Sequence, residues 1–230
     1  MDIELYYQEK GIGESFILLH GNGESSEYFK YQIDYFQRRY RMIALDTRGH
    51  GRSPRGNAPF TLAQFSSDLY DFMQLHQISD AILLGFSDGA NIAMQFAMQH
   101  PDRVRALILN GGNLNPAGVK RRTQIPIEIG YRIAKHFAST SAKARKNAEM
   151  LDLMVNEPNI RPSELSALTM PALVVCGTAD MIRESHTRAI AEALPNAELA
   201  ILSGNHFVAR QNPLAFNRTV DDFLKNNLTN

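Results

Sequence analysis

Short apolar runs alternate with longer helix-patterned stretches along almost the whole of this chain. Runs of strand length occur at Ser15–His20, Arg41–Asp46, Ala81–Phe86, Val104–Asn110, Ala172–Gly177 and Ala197–Leu202, and several are apolar nearly throughout. Strands read this way when both of their faces are buried, as in a parallel sheet covered by helices on each side. Between the runs, Phe29, Ile33, Phe36 and Tyr40 recur at helical spacing, as do Leu62, Phe65, Leu69 and Phe72. Thr61 followed by Gln64 predicts a capping box at the start of the second of these helices. Pro213 is placed to open a last helix with Phe216, Val220, Phe223 and Leu224 on its apolar face. The expectation is one α/β domain spanning all 230 residues.

One stretch breaks the alternation. From about Asn113 to Ser166 there is no convincing strand, and Lys120, Arg121, Arg122, Arg132, Lys135, Lys143, Arg145 and Lys146 gather there. It reads as a helical insertion punctuated by Pro126 and Pro162, its charges forming a solvated helix face. Over the whole chain Lys plus Arg equals Asp plus Glu at 24 each, so no net field draws the molecule to nucleic acid or to an anionic membrane. A small, weakly charged ligand is the expected partner. The single cysteine, Cys176, lies in an apolar run and reads as a buried thiol. Met1–Gly11 lacks the apolar core of a secretory signal and no run approaches a membrane span, which predicts cytoplasmic residence.

The chemistry concentrates at the ends of the predicted strands. Gly85-Phe86-Ser87-Asp88-Gly89 joins the run Ala81–Leu84 to the helical stretch Ala90–His100, the strand, tight turn and helix order that exposes a serine nucleophile. Such a turn also sets the Asp88 N–H at a helix N-terminus, where unpaired donors favour negative charge. His20-Gly21-Asn22-Gly23 follows the first run, and its Asn22 backbone N–H is the candidate for a second oxyanion donor. Serine is a weak nucleophile unless a base takes its proton, and the base needs a partner to set its tautomer. Asp180 and His206 each follow a strand run across a short turn, Thr178-Ala179 and Ser203-Gly204-Asn205 respectively. Of the seven histidines, only His20 and His206 combine a strand end with a glycine-containing loop, and His20 is assigned to shaping the oxyanion loop.

The chain resembles the α/β-hydrolase superfamily through HGNG at 20–23, DTRGHGRS at 46–53, GFSDG at 85–89, GTAD at 177–180 and GNHF at 204–207. GFSDGANIAM is similar to a branch of small esterase-like and lactonase-like members, including relatives of valacyclovir hydrolase. The resemblance implies a mostly parallel eight-stranded sheet flanked by helices, with a short helical cap after the sixth strand, at about 113–166. It implies that Asp46 and Arg48 are structural. A serine at position 87 disfavours the haloalkane dehalogenase and epoxide hydrolase branches, which attack with a carboxylate. The expected activity is hydrolysis of a small carboxylic ester or lactone, with Ser87 as nucleophile, His206 as base, Asp180 as its orienter, and no cofactor or metal. C–C bond hydrolysis, cofactor-free perhydrolysis and acyl transfer use the same constellation, and a ligand-binding regulatory module is the non-enzymatic alternative. The Asp88 side chain is expected to serve the helix N-terminus electrostatically rather than to meet a cationic substrate.

Overall fold

In the computed structural model, which describes residues 1–228, the alternation becomes one sheet between two layers of helices. In chain order the elements are β1 (Tyr7–Lys10), β2 (Glu14–Leu19), α1 (Lys30–Phe36), β3 (Tyr40–Leu45), α2 (Leu62–Leu75), β4 (Ala81–Phe86), α3 (Asp88–Gln99) and β5 (Val104–Asn110). There follow α4 (Arg121–Phe137), α5 (Ala142–Asn156), α6 (Pro162–Leu165), β6 (Ala172–Ala179), α7 (Glu184–Ala193), β7 (Ala197–Asn205), α8 (Val208–Gln211) and α9 (Pro213–Asn227). The sheet runs β1-β3-β2-β4-β5-β6-β7, parallel everywhere except at the β1–β3 edge.

Successive strand side chains point to opposite faces, and both faces are covered. Ile17, Leu19, Leu83, Leu107 and Leu109 pack with Leu69 and Phe72 of α2 and Ile92 and Phe96 of α3. Phe16, Leu18, Ile82, Leu84 and Ile108 pack on the other side with Phe36 of α1 and Phe216, Val220 and Phe223 of α9. That two-sided burial is why the runs carry almost no polar alternation.

Several expectations need correction. The sheet has seven strands where the resemblance implied eight. The residues before β1 add no outer strand: Leu5 is buried in the core, and Asp2 accepts from Arg48 Nη2 at 2.7 Å. The helical stretch therefore falls between the fifth and sixth strands of this sheet. Tyr40 does not continue a helix but opens β3, because α1 stops at Phe36 and the chain turns. Only half of the capping box forms. Thr61 Oγ1 accepts from Gln64 N–H at 3.1 Å, whereas the Gln64 amide reaches Asp68 and Glu157 Oε2 takes the Leu62 N–H at 2.9 Å. Pro126 lies inside α4 rather than at its edge, while Pro162 opens α6. A proline there removes one intrahelical bond, and α4 is held in place by the Gln124 side chain, which donates to Met154 O of α5 at 3.1 Å.

The connectivity puts a crevice where the site is needed. From β2 the chain moves to β3 on one side and later to β4 on the other, so the loops after β2 and β4 diverge at the C-terminal edge of the sheet. Parallel α/β sheets bind ligands in such a crevice.

Candidate active site

Ser87 occupies the one-residue turn between β4 and α3, with φ 55° and ψ −118°. A non-glycine residue in that region carries strain of order 1–3 kcal/mol, and the surroundings hold it there. Its N–H donates to Asn110 O at 2.8 Å, and its carbonyl accepts from Ala90 N–H at 2.9 Å. The flanking glycines are required by contact. A Cβ on Gly85 would run into the Gly89 backbone, and one on Gly89 into Leu19 O.

Asp180 and His206 stand immediately past β6 and β7: Asp180 N–H donates to Gly177 O at 3.1 Å and so closes the expected Thr178-Ala179 turn, whereas Ser203-Gly204-Asn205 is strand rather than turn. The two strands run longer than expected because their pairing continues, through a register shift, as far as Ala179 opposite Asn205. Asp180 Oδ1 lies 2.7 Å from His206 Nδ1, and His206 Nε2 lies 3.0 Å from Ser87 Oγ. Burial pushes the Asp180 carboxyl up, but the hydrogen bond and charge of His206, with the N–H groups of Ile182 and Gly177, outweigh it and hold the carboxyl below its ordinary range. An ionised carboxylate only accepts, so Nδ1 carries the proton and Nε2 offers its lone pair to the serine hydroxyl. The three residues read from separate strand ends are thus one hydrogen-bonded chain.

His20 is fully enclosed beneath the loop that follows β2. Its Nδ1–H donates to Gly21 O at 2.8 Å, and Nε2 accepts from Thr47 N–H at 3.0 Å. Burial, with His50 adjacent, brings its pKa down to about 4, so it is neutral at pH 7. The loop is further tied by the Asn22 side chain, which donates to Met150 O of α5 at 2.6 Å.

The Asp88 side chain lies in the first turn of α3, as expected, but in an environment the sequence does not reveal. It is buried rather than solvated at the helix end, Oδ1 has only a long 3.5 Å contact with Asn91 Nδ2, and Oδ2 has no partner among the described residues. Burial and then the nearby Glu157 raise its pKa from 3.8 to about 6, against His206, Asn91 and Asn22. A carboxyl whose pKa is raised by folding stabilises the native state below its unfolded value and loses that contribution as pH rises through the folded one. Asp88→Asn is therefore expected to match the parent at pH 4 and to exceed it at pH 8 by up to about 3 kcal/mol, read from urea unfolding at the two pH values. Equal stability at pH 8 would contradict it.

Residues 14–131 match the family described as alpha/beta hydrolase fold. The chain belongs to that family. Among curated proteins, this α/β hydrolase is 25% identical over 255 residues to 3-oxoadipate enol-lactonase 2 of Acinetobacter baylyi, covering 97% of this chain and 94% of the relative. It is 27% identical over 252 residues to serine hydrolase BPHL of Mus musculus, covering 97% and 84%. Among solved structures, a thermophilic esterase from Thermogutta terrifontis superposes with a TM-score of 0.81 at 21% identity, covering 99% of this chain and 95% of that one.

Further parts of the candidate site escaped the sequence reading. Gly111, after β5, has φ 68°, and a Cβ there would stand 2.8 Å from His206 Cε1. The Gly111-Gly112 pair is a visible signal, but nothing in the sequence ties it to the histidine. Gly111→Ala is expected to push the imidazole off line and lower kcat on the order of 10²-fold, with a substrate KM nearly unchanged. Unaltered kcat in steady-state kinetics would remove Gly111 from the site. Phe86 and Phe207 enclose the other sides of the His206 ring, at centroid separations of 5.0 and 5.6 Å.

Asp46 and Arg48 of the DTRGHGRS segment are engaged by the protein's own groups. Asp46 accepts from Ser26 N–H at 2.6 Å and Arg52 N–H at 2.7 Å, and Arg48 is wholly buried in an ion pair with Asp68. Cys176 is buried and free. Among the described residues no group of three or more His, Cys, Asp or Glu is arranged to hold a metal, and no helix is long and apolar enough to cross a membrane.

Proposed function

We propose that the protein hydrolyses small carboxylic esters or lactones through an acyl-enzyme on Ser87. The observation that carries this reading is the continuous hydrogen-bonded path from Asp180 through His206 to a strained, turn-borne serine. His206 Nε2 takes the Ser87 proton as Oγ attacks the carbonyl carbon, and Asp180 stabilises the imidazolium that results. The N–H groups of Asn22 and Asp88 receive the developing oxyanion, each such donor contributing about 2.7–4 kcal/mol to lowering the barrier. His206 then protonates the leaving alcohol, and water repeats the sequence to release the acid. In a lactone the leaving alcohol stays tethered to the acyl group, so one site accommodates both substrate types.

The inserted helices α4–α6 act in this proposal as the cap. Three contacts bring them down on the core: Arg55 forks onto Glu149 at 2.7 and 3.0 Å, Asn22 reaches Met150, and Glu157 caps α2. The similarity to an enol-lactonase and to a serine hydrolase supports the same reaction class. A fluorophosphonate probe is expected to modify Ser87, located by peptide mass spectrometry, and short-chain p-nitrophenyl esters and simple lactones are expected to turn over. Labelling without turnover across both panels would refute the substrate class, and absence of label on Ser87 would refute the mechanism.

A further inference from the structure

The outer face of α4 is apolar where none of the described residues covers it. Ile125, Ile129, Ile133 and Phe137 recur at every fourth residue and are 40%, 53%, 56% and 52% exposed, while only Gln124 and Ala134 of this helix are buried. The row leads into a groove of about 370 Å³ between α4 and α5, walled by Ile133, Phe137, Ala144 and Leu151. Packing against the core explains neither the row nor the groove.

The exposed charged side chains of α4 and α5 are all cationic, although Arg145 and Lys146 face the cavity beside Gly49 and Arg55 rather than the groove. Arg121, Arg122, Arg132 and Lys135 of α4 and Lys143, Arg145 and Lys146 of α5 are exposed, whereas Glu128, Glu149 and Asp152 are half-buried and Arg55 occupies Glu149. None of the ion pairs formed among the described residues uses any of the seven cations. By helical spacing the half-buried Glu128 and the exposed Arg132 and His136 flank the apolar row on one side, and Lys143 stands across the groove on the other. The zero net charge of the chain conceals this local excess.

We propose that the α4–α5 face docks on the surface of an anionic lipid bilayer, with the Ile125–Phe137 row turned toward the acyl chains and the cations among the headgroups. An amphipathic helix with a cationic border has the chemistry that such a surface recognises. A second copy is the poorer occupant, because a two-fold contact through this face would bring two unpaired cationic fields together. The inference is independent of the hydrolytic reading.

The test is flotation of the purified protein with vesicles of phosphatidylcholine alone and of phosphatidylcholine mixed with phosphatidylserine. The protein is expected to float with the mixed vesicles only, and less as salt is raised. Arg132→Gln combined with Lys143→Gln is expected to weaken partitioning by roughly 25-fold, at about fivefold for each basic residue near the surface. Ile129→Ser combined with Ile133→Ser is expected to weaken it by at least about tenfold. Circular dichroism and urea midpoints confirm that the variants are folded. Equal flotation with both vesicle types, no flotation, or a dimer in sedimentation velocity that Ile133→Ser dissociates would each overturn the proposal.

Discussion

Replacing Ser87 by alanine is expected to lower kcat toward esters and lactones on the order of 10⁶-fold while leaving the fold essentially intact. The size follows from the geometry and the proposed mechanism: among the described residues the hydroxyl is the group that His206 Nε2 meets, at 3.0 Å, and loss of the nucleophile in a comparable constellation falls on this scale. The stability effect is small because the turn is held by backbone bonds, from Ser87 N–H to Asn110 and from Ala90 to the Ser87 carbonyl, which alanine retains. One lost side-chain hydrogen bond is worth about 1 kcal/mol. Asp180→Asn is expected to cost on the order of 10⁴-fold, because an amide in place of the carboxylate lets Nε2 rather than Nδ1 carry the imidazole proton. Residues acting as one relay are not additive, so Ser87→Ala with Asp180→Asn should be no slower than Ser87→Ala alone. A double variant whose losses multiply would mean that the two side chains act separately.

The largest stability effect is expected at Arg48, far from the reacting atoms. Its guanidinium is fully enclosed and forks onto Asp68, Nε to Oδ2 at 2.8 Å and Nη2 to Oδ1 at 2.7 Å, with Asp2 as a second carboxylate and Arg55 O as a further acceptor. Removing the cation strands the Asp68 carboxylate in the interior, which costs about 3–5 kcal/mol. Arg48→Met should therefore lower the urea midpoint sharply, and Arg48→Met with Asp68→Leu should recover most of the loss, since no buried charge is then left alone. Arg48→Lys cannot reproduce the planar fork and should fall between the parent and Arg48→Met. A single-variant loss below about 1 kcal/mol would show that Asp68 finds water or another donor.

How much was readable beforehand depends on what each residue's role rests on. Ser87, Asp180 and His206 were legible as candidates because each follows an apolar run with a glycine two or three residues before it, so local pattern alone placed them at one edge of a parallel sheet. Asp46 and Arg48 were legible as structural through the DTRGHGRS resemblance. β1 was not, because Tyr7–Lys10 is an exposed edge strand whose Gln8, Glu9 and Lys10 carry no core signature. The burial of Asp88 was hidden for a different reason: it depends on Glu157, Asn22 and the position of α5, none of which local periodicity specifies. Gly111 lay beyond reach because its importance is a distance to His206, 95 positions later in the sequence. The length of β6 and β7 was not legible because Thr178 and Gly204 look like turn residues; a turn bond does close from Asp180 to Gly177, yet the Thr178 hydroxyl also bonds across to Gly204 and the two strand ends stay paired.

The bond from the Asn22 amide to Met150 makes α5 and the loop bearing a proposed oxyanion donor parts of one mechanical assembly. Widening the entrance by grafting α5 from a larger homologue would therefore disturb transition-state stabilisation as well as access. Redesign for bulkier acyl groups has to treat positions 22 and 150 as a matched pair, exchanged together or left alone.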